Sequence, residues 1–134
     1  MTILPITSLF AAVFAIALVA LSLPITLQRV KVGTLMGDGA DTTLHQRIRA
    51  QGNFIEYVPL GIITLALVEA QAVPAWMVVA IGTSLAFGRV LHAIGMLNAS
   101  APLRGLGMIL TYLALISAAA RLFIDAGSWW ASTS

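Results

Sequence analysis

Four long apolar stretches, separated by short polar breaks, constrain this chain more than any other feature. A helix rising about 1.5 Å per residue needs about 20 mostly apolar residues to cross the hydrocarbon core of a bilayer. Windows of that kind fall within residues 6–30, 41–69, 75–97 and 103–124. Gly33, Gly37, Asp38 and Gly39 break the first pair, and Asp41 and Thr42 offer side chains to cap the second helix. Pro74 marks the second turn, and Asn98, Ser100 and Pro102 mark the third. Pro24 and Pro59 fall inside helices, where each removes a backbone donor and bends the axis. Membrane helices tolerate such breaks when neighbours satisfy the freed carbonyls. These windows predict an all-α membrane protein, one domain over residues 1–134 built as a bundle of four transmembrane helices.

Composition removes the soluble alternative. Of the residues, 60% are hydrophobic and only 9% are charged, whereas a soluble domain is about a quarter charged. So few charges cannot coat a globule, and lipid must solvate most of the surface. A chain of 134 residues leaves no room for a separate soluble catalytic domain, so any chemistry sits in or beside the bundle. The net charge of +2 is small and its basic residues are clustered, which argues against a nucleic-acid surface. No cysteine is present, so neither a disulfide nor a thiolate metal site is available. His45 and His92 lack ligand-rich neighbours at metal-binding spacing, and no metal is expected. No basic stretch precedes the first apolar run, which is therefore expected to be a retained spanning helix rather than a cleaved signal.

Six of the seven basic residues, Arg29, Lys31, Arg47, Arg49, Arg89 and Arg104, fall near the first and third loops, and only Arg121 lies near the other face. The positive-inside rule then puts those loops in the cytoplasm and both termini outside. Trp129 and Trp130, in the tail after residue 124, suit a membrane interface. Glu69 and Arg121 fall at similar depth at the far end, as a structural pair or as simple interface residues.

Charged side chains at membrane depth are costly and normally face the bundle interior or a cavity. Arg49, Asn53 and Glu56 are spaced i, i+4, i+7, so they share one face of the second helix. A forked cation, an amide and a carboxylate in a row match a ligand with a carboxylate at one end and an ammonium at the other. An interhelical polar network explains the same stripe equally well. Arg89 and His92 recur at i, i+3 near the matching end of the third helix, where a snorkelling arginine and a packed histidine are the plain alternatives. Arg104 opens the fourth helix at the same depth, either as a topology anchor or as a guanidinium that stabilises an anion, a thiolate included. Several arginines converging in a dry site would repel one another, which calls for an anionic partner.

The segment Arg49-Ala50-Gln51-Gly52-Asn53-Phe54-Ile55-Glu56-Tyr57-Val58-Pro59 resembles the second-helix pattern Arg-Ala-x-x-Asn-x-x-Glu-x-x-Pro of the MAPEG family, the membrane-associated proteins in eicosanoid and glutathione metabolism. Gly88-Arg89-Val90-Leu91-His92 and Pro102-Leu103-Arg104 resemble the family's third-helix motif and its entry to the fourth helix. The resemblance covers nearly the whole chain and has the look of a divergent, bacterial-type member in an inner membrane. It implies a homotrimer with glutathione bound between neighbouring subunits and open to the cytoplasm. Arg49, Asn53 and Glu56 would then hold glutathione, with Arg89 and His92 lining the pocket and Arg29 contributing from the first helix. Arg104 matches the arginine that stabilises the thiolate in family enzymes. The chain departs from the pattern at Met96 and Met108, where family enzymes often place tyrosines, and at Gly52, where a basic residue sometimes stands.

The function expected from this resemblance is a glutathione-dependent transferase or peroxidase acting on lipophilic electrophiles that arrive from the lipid. The alternative is a non-enzymatic binding or structural membrane protein that keeps the scaffold, which the two methionines favour. A transporter or channel fits less well, since no pair of broken helices recurs in corresponding positions.

Overall fold

The computed structural model describes residues 3–133; Met1, Thr2 and Ser134 lie outside them. The described residues form four helices: α1 over Pro5–Val32, α2 over Thr42–Ala70, α3 over Ala75–Leu97 and α4 over Ala101–Thr133. All four are long and apolar enough to span a bilayer. The expected bundle is therefore present, with α3 as predicted and α1 and α2 shifted by no more than a turn.

The ends follow local chemistry. Asp41 caps α2 by accepting the Leu44 N–H at 2.6 Å. Gly33 adopts the left-handed conformation, φ 70, and closes α1 through a bond from its own N–H to the Arg29 carbonyl. Pro5 opens α1, and Leu4 before it offers no side-chain cap. Glu69, from the far end of α2, supplies it instead. Its carboxylate accepts the Ile6 N–H at 2.9 Å and the Thr7 N–H at 2.7 Å. Of the two readings of Glu69 and Arg121, a structural pair or simple interface residues, the pair is therefore not formed. Arg121 bonds Asp125 one turn along α4, at 2.6 Å and 3.1 Å.

The same i, i+4 pair explains why α4 runs to Thr133 rather than ending at 124. Arg121–Asp125 supports the helix across the expected break, and the hydroxyls of Ser128 and Ser132 bond back to the carbonyls of Asp125 and Trp129, both at 2.8 Å. Trp129 and Trp130 thus stand on a helix, both exposed and edge to face at 5.0 Å.

The core is small. Phe14, Phe54, Leu65, Val78, Leu85 and Ala114 form its centre, while Leu9, Ile16, Val19, Leu23 and Leu27 of α1 face outward. An exterior as apolar as the interior is the mark of lipid as solvent. A polar seam joins α1 to α2. Gln51 donates to Ser22 Oγ at 2.7 Å, and Arg47 donates to the Pro24 carbonyl at 3.0 Å and Gln28 Oε1 at 3.2 Å. In turn Gln28 donates to Asp41 at 3.1 Å, so each seam donor has an acceptor.

The closest helix contact is between α3 and α4. A Cβ added to Gly88 would lie 2.8 Å from the Gly107 carbonyl oxygen, and one added to Gly107 would lie 2.6 Å from the Gly88 carbonyl oxygen. Only glycine lets the two backbones approach this far. The contact sets α4 beside the end of α3 that carries Arg89 and His92.

Candidate functional site

At the end of the bundle that carries the first and third loops, a cleft of about 340 Å³ opens between α2, α3 and α4. Three elements build it. Successive turns of α2 contribute His45, Arg49 and Asn53, with Gln46 beside them. His92 and Met96 come from α3, and Arg104 from the first turn of α4. Gly95 allows that last approach, since a Cβ there would lie 2.6 Å from the Arg104 backbone nitrogen.

Four of the residues singled out in the sequence, Arg49, Asn53, His92 and Arg104, are brought together here. Two of them carry permanent positive charge, and the lining holds no carboxylate. A half-enclosed site with two guanidiniums, two imidazoles and an amide is built for a group that accepts hydrogen bonds and bears negative charge. Arg104 Nη1 meets the Met96 sulfur at 3.8 Å, a weak acceptor in the position that an anionic one would take.

The other three residues stand elsewhere. Arg89 is buried behind the Asn53 side of the cleft and bonds inside the subunit. Glu56, one turn beyond Asn53, is exposed on α2 and does not line the cleft. Arg29 donates to the carbonyls of Thr34 at 3.4 Å and Gly37 at 2.5 Å, so within the subunit it braces the first loop. The departure from a continuous stripe has a simple cause. Positions i, i+4 and i+7 share a face but are spread along it, so Glu56 stands about 10 Å up the axis from Arg49, beyond the cleft lining.

His45 and Met96 line the cleft without having been singled out as ligand groups. A signal for His45 was present, since it precedes Arg49 by four residues on the same face. Its Nδ1 also lies 2.9 Å from Asp38 Oδ2, tying the first loop to the mouth of the cleft. That hydrogen bond from His45 is the main cause that holds the exposed Asp38 carboxyl below its ordinary value of 3.8.

The sequence profile of the MAPEG family matches residues 7–124. The chain belongs to this family. Inner membrane protein YecN of Escherichia coli strain K12 is 30% identical over 125 residues, covering 93% of this chain and 92% of that protein. The YecN of Escherichia coli O6:H1 strain CFT073 matches to the same extent. No solved structure matches the chain. As a MAPEG member with four spanning helices and an inner-membrane relative, it is an integral membrane protein.

Proposed function

We propose that this MAPEG protein binds glutathione in the cleft between α2, α3 and α4 and acts as a glutathione-dependent transferase or peroxidase on lipophilic electrophiles. The observation that carries the reading is the convergence of Arg49 and Arg104, from two helices, on a cleft lined by no carboxylate. Glutathione has two carboxylates and a thiol that becomes an anion, so it fits a lining with two guanidiniums and no carboxylate. Its ammonium needs an acceptor, and Glu56 is the carboxylate nearest along α2. An exposed Glu56 suits a ligand that reaches past one subunit, which agrees with the homotrimer that the resemblance implies.

In this reading Arg49 fixes a carboxylate, Asn53 and His92 orient the peptide, and Arg104 holds the thiol as its thiolate. A guanidinium beside a thiol lowers its pKa by favouring the charged form. Electrophile would arrive from the membrane side, where an apolar groove of about 250 Å³ runs between α1 and α3 past Ala17, Leu21, Val90 and Ile94. The basic residues around the cleft support the same reading, in which this end of the bundle and its glutathione face the cytoplasm from an inner membrane, with both termini outside.

Calorimetry on the detergent-purified protein tests binding, with Arg49→Ala and Glu56→Ala as controls. Saturable glutathione binding lost in both variants supports the reading, and no binding to the intact protein defeats it. A thiolate ultraviolet band on adding glutathione, absent in Arg104→Ala, tests the chemistry. The second reading, a binding protein without turnover, is favoured by Met96 standing against Arg104. Conjugation above the Arg104→Ala background counts against it.

A further inference from the structure

Arg89 is 3% exposed, and its guanidinium bonds wholly inside the subunit. Nε donates to Thr111 Oγ1 at 3.0 Å, and Nη2 reaches the same oxygen and the Met108 sulfur. Nη1 takes both oxygens of Asn53, the backbone carbonyl at 3.3 Å and the side-chain Oδ1 more closely. The Tyr57 ring covers the guanidinium, 5.0 Å from its centre. Thr111 is itself fully buried and anchored to the Gly107 carbonyl at 2.8 Å, so the Gly88–Gly107 contact fixes the position of the whole group. A buried cation with neutral acceptors is costly in a membrane protein. Such an arrangement calls for a role beyond packing.

We infer that Arg89 is a positioning residue that acts through Asn53, turning its amide so that the cleft presents a donor and selects a group that only accepts hydrogen bonds. A guanidinium has no acceptor, so the atom it meets on Asn53 is Oδ1 and cannot be Nδ2. Nδ2 therefore points the other way. It has no hydrogen-bond partner among the described residues and is not buried, and Asn53 lines the cleft. Without Arg89 the amide could turn over and set its oxygen against an anion. With it, Asn53 adds a donor to the fork of Arg49 and the guanidinium of Arg104. A carboxylate or sulfonate, which only accepts, fits this set, and an ammonium, which only donates, does not. The inference rests on the anion cleft proposed above and goes further by assigning the ligand's acceptor end to Asn53.

Asn53→Asp separates positioning from structure. It keeps an oxygen for Arg89 and adds an ion pair, yet turns a second oxygen toward the cleft in place of the donor. Melting in detergent reads the first effect. Asn53→Asp should melt no lower than the parent, whereas Asn53→Leu, which gives Arg89 nothing, should melt lower. Equal losses in the two variants would overturn the Arg89–Asn53 link whatever the ligand. Calorimetry with glutathione and, separately, with inorganic sulfate reads the second. Affinity should fall about tenfold or more in Asn53→Asp, the weight of a hydrogen bond to a charged group. Arg89→Lys, which retains a cation and one donor for Oδ1, should recover most of the affinity that Arg89→Ala loses. Sulfate binding without glutathione binding, with the same variant pattern, would sustain the inference and sink the glutathione reading. Binding undiminished in Asn53→Asp, or no binding of either anion to the parent, would overturn the inference.

Discussion

Gly107 of α4 meets the backbone of α3 so closely that an added Cβ would lie 2.6 Å from both the Gly88 carbonyl oxygen and the His92 backbone nitrogen. Both atoms belong to the backbone, so neither can move aside without moving its helix. Gly107→Ala and Gly88→Ala should each cost about 1–3 kcal/mol, the range for overpacking a close contact. The change should also part Arg104 from His92 and so weaken glutathione binding. Melting of the two variants in detergent, with Gly105→Ala as the control, checks this, because a Cβ at Gly105 meets nothing within 4 Å. A pair that melts like the control would show that the helices do not cross here.

Glu69 makes a second prediction, at the opposite end of the bundle. Its carboxylate caps α1 from α2 through the Ile6 and Thr7 amides. Removing a cap costs about 1 kcal/mol. Glu69→Ala should lose that amount, and Glu69→Gln, which keeps one acceptor, should lose less. Amide exchange at Ile6 and Thr7 should quicken in Glu69→Ala while α3 is unaffected. Arg121→Ala should leave those amides as they were, since Arg121 pairs with Asp125.

That cap illustrates what could be read from the sequence and what could not. Hydrophobic runs and turn residues are local, and they located four helices and a cap at Asp41 or Thr42, of which Asp41 is the one used. The partners of Glu69 lie 63 and 62 residues away, and depth alone offers Arg121 as a pair without deciding for it. The end of α4 was missed because hydropathy falls after 124 while the helix is continued by side chains that bond along it. At the site, residue type leaves a ligand stripe and a structural network equally open, and the family resemblance is what collects Arg49, Asn53, His92 and Arg104. The burial of Arg89 depends on its partners Asn53 and Thr111 on two other helices, which no spacing rule carries.

The contact between Asp38 and His45 gives a pH dependence for the first loop. Asp38 is held below its ordinary 3.8, chiefly by the hydrogen bond from His45. A depressed carboxyl stabilises the folded loop above the ordinary value, and that contribution fades as pH falls through the lowered value. Asp38 is fully exposed, so the effect is local. Protection of the amides in residues 33–40, measured relative to their intrinsic exchange at each pH, should hold from neutral pH to about 4 and fall below it. Asp38→Asn should exchange faster at neutral pH and lose the acid step. An unchanged step in that variant would assign it to another carboxyl.

Met96 offers a gain-of-function test. Its sulfur faces Arg104 Nη1 at 3.8 Å, in the cleft, where the family often has a tyrosine. A thioether accepts weakly and donates nothing. A thiolate beside it therefore has Arg104 but no hydroxyl donor from α3. Met96→Tyr supplies that donor on a side chain of similar reach, and one hydrogen bond to a charged group is worth about tenfold in affinity. Glutathione should bind about tenfold more tightly to Met96→Tyr, and its thiolate band should appear at lower pH. Met96→Leu separates the two contributions, since it removes the sulfur without adding a donor, and it should bind glutathione no more than about twofold differently from the parent. Tightening in Met96→Leu equal to that in Met96→Tyr would show that Met96 acts by occupying Arg104, and that the missing hydroxyl is irrelevant.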